Sequence, residues 1–160
     1  MGSIGTQLIA VGLIYLISGA ADAACTPGAV DLRGPSGVQR FHIEVADDQA
    51  EQAKGLMFRE KLATSAGMLF VFPQPKHAVF WMKNTILPLD MIFADSAGRV
   101  TSVHSNAVPQ DETPIDGGPG VALVLEINAG LAKRMGITEG SEIRHPAIAQ
   151  SAAAWPCNSE

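Results

Sequence analysis

Between His77 and Phe93 the chain reads HAVFWMKNTILPLDMIF, a strongly apolar run that nevertheless carries Lys83, Asn84, Thr85 and Asp90. Charges inside such a run must be paired, hydrogen-bonded or aimed into a cleft, because burying them unpaired costs several kcal/mol. The run therefore belongs to a sheet interior and marks the place to look for a site. From His77 to Asn84, one face carries Ala78, Phe80, Met82 and Asn84, the other His77, Val79, Trp81 and Lys83. Both faces are largely apolar, which predicts a central strand covered on each side. Pro88 forbids an unbroken continuation, so Thr85–Pro88 reads as a bend and Leu89–Ala94 as the next strand. Asp95-Ser96-Ala97-Gly98 reads as a hairpin turn, with Arg99–His104 returning antiparallel.

The flanking sequence fills in a mainly β (α+β) domain. Thr26–Gly37 is rich in Pro and Gly and reads as an irregular lead-in, taken as residues 24–37. Val38–Ala46 alternates, with Phe41, Ile43 and Val45 on one face and Arg40, His42 and Glu44 on the other, which predicts a half-buried strand with a solvated His42. Asp48 and Glu51 form a capping-box pattern that opens a short helix, and Gly55 suits its left-handed stop. Leu56, Met57 and Phe58 read as buried packing, and Met68–Phe72 as a short strand ended by Pro73. Asn106–Gly120 reads as a long polar loop, a lid or binding loop. Val121–Ile127 is a buried strand with Glu126 as its one charge; Asn128 is the expected cap of a second short helix through Met135, which Gly136 ends. Glu142–His145 is a final strand. The elements make one domain over residues 38–146, with a tail over 147–160 expected to dock through Trp155 and Cys157.

Compartment follows from the ends of the chain. Leu8–Ile17 (LIAVGLIYLI) is an apolar core of signal-peptide length, and Ala21-Asp22-Ala23 fits the small-x-small cleavage rule, so residues 1–23 read as a signal peptide. No Lys or Arg precedes the apolar run, which leaves an uncleaved membrane anchor as the alternative. Asp22 stands where a branched apolar residue precedes a lipoprotein cysteine, which disfavours lipidation of Cys25. Cys25 and Cys157 lie in Pro-adjacent, loop-like sequence at either end of the mature chain. In an oxidising compartment a disulfide between them is the simplest use, worth about 2–4 kcal/mol if unstrained; two free thiols or an intermolecular bridge are the alternatives. The expected location is exported and periplasmic, with the membrane met only through the N-terminal segment if it is retained. A net charge of −5 with scattered Lys and Arg gives no basic stripe, so no nucleic-acid partner is expected.

Gly55-Leu56-Met57-Phe58-Arg59, Gly67-Met68-Leu69-Phe70-Val71-Phe72, Phe80-Trp81-Met82-Lys83-Asn84-Thr85 with Pro88-Leu89-Asp90, and Leu125-Glu126 with Gly130 together resemble the domain of unknown function 192. The resemblance spans about Phe41 to Arg144, in order and at the family's spacing. It implies a compact barrel-like antiparallel or mixed sheet in an exported or membrane-anchored protein, and no activity.

Four functions remain. The first is a non-catalytic cell-envelope binding module, in which Arg59, Trp81, Lys83, Asn84, Asp90 and Glu126 converge on a small anionic or carbohydrate-like ligand. The same charges serve equally as structural pairs, Lys83 or Arg59 with Asp90 or Glu126. The second is a hydrolase using Asp90 and Glu126 as acid and base. The third is copper binding by Met57, Met68, Met82 and Met91, for which core filling is the ordinary explanation. The fourth is an envelope protein–protein adaptor that uses the Asn106–Gly120 loop. His42, His77, His104 and His145 lack metal-ligand spacing, and no motif calls for a cofactor.

Overall fold

The computed structural model describes residues 25–158; the segment expected from sequence to be a signal peptide lies outside them. In chain order the elements are β1 (Ala29–Gly34), β2 (Gly37–Ala46), α1 (Gln49–Lys54), β3 (Ala66–Phe80), β4 (Leu89–Ala94), β5 (Val100–Ala107), β6 (Ile115–Asn128), α2 (Leu131–Arg134) and β7 (Glu142–Arg144). The strands form one sheet in the order β5-β4-β6-β3-β2-β1-β7. Only the β2–β3 pairing among them is parallel. The two edges meet at one end, where Ile143 N donates to Gly98 O (2.7 Å), Val100 N to Ser141 O (2.8 Å) and Gly140 N to Val100 O (2.9 Å). The result is a curled half-barrel, mainly β with two short helices.

Local sequence explains the elements it marks clearly. Asp48 Oδ1 accepts from Glu51 N (2.8 Å), and Glu51 reaches back to Asp47 N (3.3 Å), so α1 opens on a reciprocal cap. Gly55 closes it at φ 48°. At the β4–β5 turn, Asp95 Oδ1 accepts from both Ala97 N and Arg99 N at 2.9 Å. The central strands bury both faces. Leu69, Ile92, Leu123, Leu125 and Ile127 pack inside the curl with Val30, Phe41 and Ile143. Met68, Phe70, Met91, Phe93 and Val124 pack on the other face, beneath Leu56. Gly117 sits where a Cβ would lie 2.2 Å from the Phe93 ring, so only glycine fits there.

Several sequence expectations need correction. The lead-in is not irregular: β1 lies within it, pairing with β2 from Ala29↔His42 to Gly34↔Gly37 and with β7. Its Pro and Gly form the tight β1–β2 turn, while Val30 and Leu32 enter the core. β3 does not stop at Pro73 but runs through Pro73 and Pro75, where its ladder with β6 shifts register between Val71 and Lys76. Parallel pairing with β2 ends at Phe70, so the later prolines remove no ladder bond on that side. The same strand ends at Phe80, short of Asn84, and exposes His77 and Val79 rather than being covered on both faces. The long loop shrinks to residues 108–114, because β5 reaches Ala107 and β6 begins at Ile115. Asn128 does not cap α2; its side-chain amide donates to Leu62 O (3.0 Å) and Ala63 O (3.1 Å). The cap position is Gly130 at φ 78°.

The tail is tied down beside the seam where the two edges meet, and there Ala154 N donates to Ala97 O (2.8 Å). Cys25 and Cys157 form a disulfide with a Cα–Cα distance of 5.5 Å. Buried Trp155 lies against the guanidinium groups of Arg144 (4.3 Å to the ring centroid) and Arg33 (4.6 Å). Arg144 also donates to Asp31 Oδ2 (2.9 Å), and Arg40 donates to both Asp31 oxygens at 2.6 and 2.9 Å. Burial pushes the Asp31 carboxyl up, but its hydrogen bonds from Arg40 and Arg144 outweigh that and hold it below the ordinary range. No helix among the described residues is long and apolar enough to cross a membrane.

Candidate functional site

A cavity of about 280 Å³ opens between α1 and the projecting end of β3. Gln52 holds α1 over it by donating to Ala46 O (3.3 Å) and Val71 O (2.9 Å). Phe70, Phe72, Phe80 and Trp81 supply aromatic walls, Lys54 and Lys76 the cationic rim, and Thr85 and Glu126 the polar groups. Phe80 is fixed edge-on between Phe70 (centroids 5.1 Å apart) and Phe93 (5.8 Å), so this wall is rigid.

Glu126 is the unusual member. Its register partners are Met68 on β3 and Met91 on β4, so it occupies an apolar position of the second face. It is 5% exposed, and among the described residues its carboxyl has no hydrogen-bond or ion-pair partner. Burial alone raises its pKa to about 8, so the carboxyl is neutral at pH 7 and both donates and accepts. No side-chain oxygen fully shut off from solvent lacks a partner among the described residues, so the unpartnered carboxyl oxygens of Glu126 keep an opening to the cleft.

Of the six residues marked from sequence, the structure brings Trp81 and Glu126 to this cleft and the other four elsewhere. Arg59 makes a two-point ion pair with Glu44, one contact being Nη1 to Oε1 at 2.7 Å. Hydrogen bonding from Arg59 lowers Glu44, and hydrogen bonding from Glu44 raises Arg59. Lys83 sits 3.7 Å from Glu112 and 5.1 Å from the Trp81 centroid, on the outside. Asn84 is left-handed at φ 53°, and its carbonyl accepts from Phe58 N (2.8 Å). That bond holds Phe58 at φ 62° and turns it outward, 69% exposed, not into the core beside Leu56 as its sequence neighbours suggest.

Asp90 lies on the opposite face from Glu126, because it pairs in register with Ile127 while Glu126 pairs with Met91. Its Oδ1 accepts from Asn106 N and its Oδ2 from Ala132 N, each at 2.8 Å. It thereby caps α2 from across the fold. The two carboxylates do not share a cleft. Met68, Met82 and Met91 are core residues, and Met57 lines the cleft; no group of three or more His, Cys, Asp or Glu side chains is placed to hold a metal among the described residues.

The sequence profile described as DUF192, Uncharacterized ACR, matches residues 31–145. The chain belongs to this family. Two solved structures are similar to it. One is a protein of unknown function from Novosphingobium aromaticivorans DSM 12444, 42% identical, with TM-score 0.72, covering 87% of this chain and 98% of that one. The other, from Sinorhizobium meliloti 1021, is described as a candidate transcription regulator and is 41% identical, with TM-score 0.70, covering 76% and 95%. No curated protein matches the chain.

The DUF192 sequence blocks converge on the cleft. Gly55, Leu56 and Met57 come from the first, Phe70 and Phe72 from the second, Phe80, Trp81 and Thr85 from the third, and Glu126 from the fourth. Sequence reasoning missed Phe70, Phe72, Phe80 and Lys76. Phe70 and Phe72 alternate on one face of a strand, a pattern that core and cavity wall share. Their cavity comes from the arch of β3 past β2, which periodicity does not encode.

Proposed function

We propose that this DUF192 protein is a non-catalytic binding module of the cell envelope, whose cleft takes one small carbohydrate-like ligand. The observation that carries this reading is Glu126, a buried carboxyl without a protein partner, opening into an aromatic-walled cavity. A half-exposed indole offers a stacking face for a sugar ring, and a neutral carboxyl matches the donor and acceptor pair of a hydroxyl. The cavity volume of about 280 Å³ suits a ligand of monosaccharide size. An anionic ligand has weaker support, because Arg59 and Lys83 are engaged by Glu44 and Glu112, which leaves only the exposed Lys54 and Lys76 at the rim to meet it. The disulfide and the signal-like N-terminal sequence support an exported, oxidising setting.

Acid–base hydrolysis by Asp90 with Glu126 has no geometric support, since the two face opposite sides of the sheet. The description attached to the Sinorhizobium protein implies nucleic-acid binding only if a basic face exists. Here 16 acidic residues outnumber 11 Lys and Arg, which does not favour it. The test is calorimetric titration of the protein and of Trp81→Ala with glucose as probe. Saturable binding weakened at least about ten-fold by Trp81→Ala, with unchanged circular dichroism, is expected. Equal binding by both proteins contradicts the reading.

A further inference from the structure

The cleft contains a carboxyl without a charged counterpart. Met68 and Met91 flank Glu126 on β3 and β4 and offer it no charge. Lys54 of α1 and Lys76 of β3 are the charged groups facing the cavity from the other packed elements. Neither compensates Glu126, whose titration is set by burial. Lys76 instead rests its ammonium 3.7 Å from the centroid of Phe72, so the aromatic wall already holds a cation on its face. An ionised Glu126 in this cavity is stable only beside a positive charge delivered from outside the fold.

We infer that the ligand carries a primary ammonium group, seated between the Glu126 carboxylate and the aromatic wall: an amino sugar rather than a neutral pyranose. This rests on the reading of the cleft as a sugar-sized ligand site. Binding then moves one proton. Glu126, neutral in the empty cleft, ionises against the incoming ammonium and gives its proton to solvent, while the ammonium keeps its own. Lys54 and Lys76 are both exposed to solvent, which weakens their repulsion toward the ligand.

Titration calorimetry of the full chain with glucosamine and with glucose, at about pH 6 in two buffers of different ionisation enthalpy, tests this directly. Glucosamine is expected to bind at least about ten-fold more tightly and to release close to one proton per site, glucose none. In Glu126→Gln the proton release disappears and the preference falls to about two-fold or less. Because proton release is read on the unaltered protein, a folding defect in the variant does not mask the result. Equal binding of the two sugars without proton release overturns the ammonium assignment and leaves the ligand site standing. Saturable binding of neither sugar overturns both.

Discussion

Asp90 and Glu126 show how one residue's surroundings decide its use. Both are carboxyls buried on adjacent central strands. Asp90 is satisfied by two backbone amides and organises α2 and the end of β5. Asp90→Ala strands those amides in the interior and is expected to cost about 2–4 kcal/mol, read from urea unfolding. Glu126 is unsatisfied, and its raised pKa couples folding to pH. The unfolded chain ionises this group near its ordinary value of 4.5 and the folded protein only near 8, so the folded state binds the extra proton between those values. Its contribution is full below about pH 4.5 and declines as pH rises toward 8, at up to about 1.4 kcal/mol per pH unit. Glu126→Gln removes this decline. Unfolding midpoints of the two proteins at a series of pH values are expected to diverge with rising pH, the variant becoming the more stable; parallel curves contradict the assignment.

At the scale of the element, legibility in the sequence tracks the range of the interaction. The α1 cap and the Asp95 turn both close at a separation of four residues, and both can be read from neighbouring letters. The α2 cap spans 42 residues, so Asn128, the nearer candidate, looks like the cap although its amide holds the 62–63 backbone instead. Pro73 and Pro75 signal a strand end on local rules; the strand persists because β2 has already left its side. The candidate site divides in the same way. Trp81 and Glu126 stand out locally as an aromatic and a charge in apolar sequence. Arg59 and Lys83 stand out for the same reason, yet pair with Glu44 and Glu112 over loops that sequence alone does not fold. Phe70 and Phe72 are inconspicuous because a cavity wall has the composition of a core.

For the whole molecule, the half-barrel has two working ends. One is fastened: Asp31, Arg40, Arg144 and Trp155 join β1, β2, β7 and the tail, and the disulfide spans a sequence separation of 132. Reducing that bond, or replacing both cysteines by Ser, is expected to lower stability by about 2–4 kcal/mol without altering the β signature in circular dichroism. Equal melting temperatures of the oxidised and reduced protein would argue against a stabilising role. The other end is open, where β3 arches away from β2 and α1 covers the gap, and there the family's sequence blocks meet. This opening is the proposed ligand site. Amide chemical-shift mapping during titration with glucosamine tests it most directly. Saturable shifts confined to Gln52–Met57, Lys76–Trp81, Thr85 and Glu126 are predicted. Saturable shifts on another face, or none over the titration, contradict it.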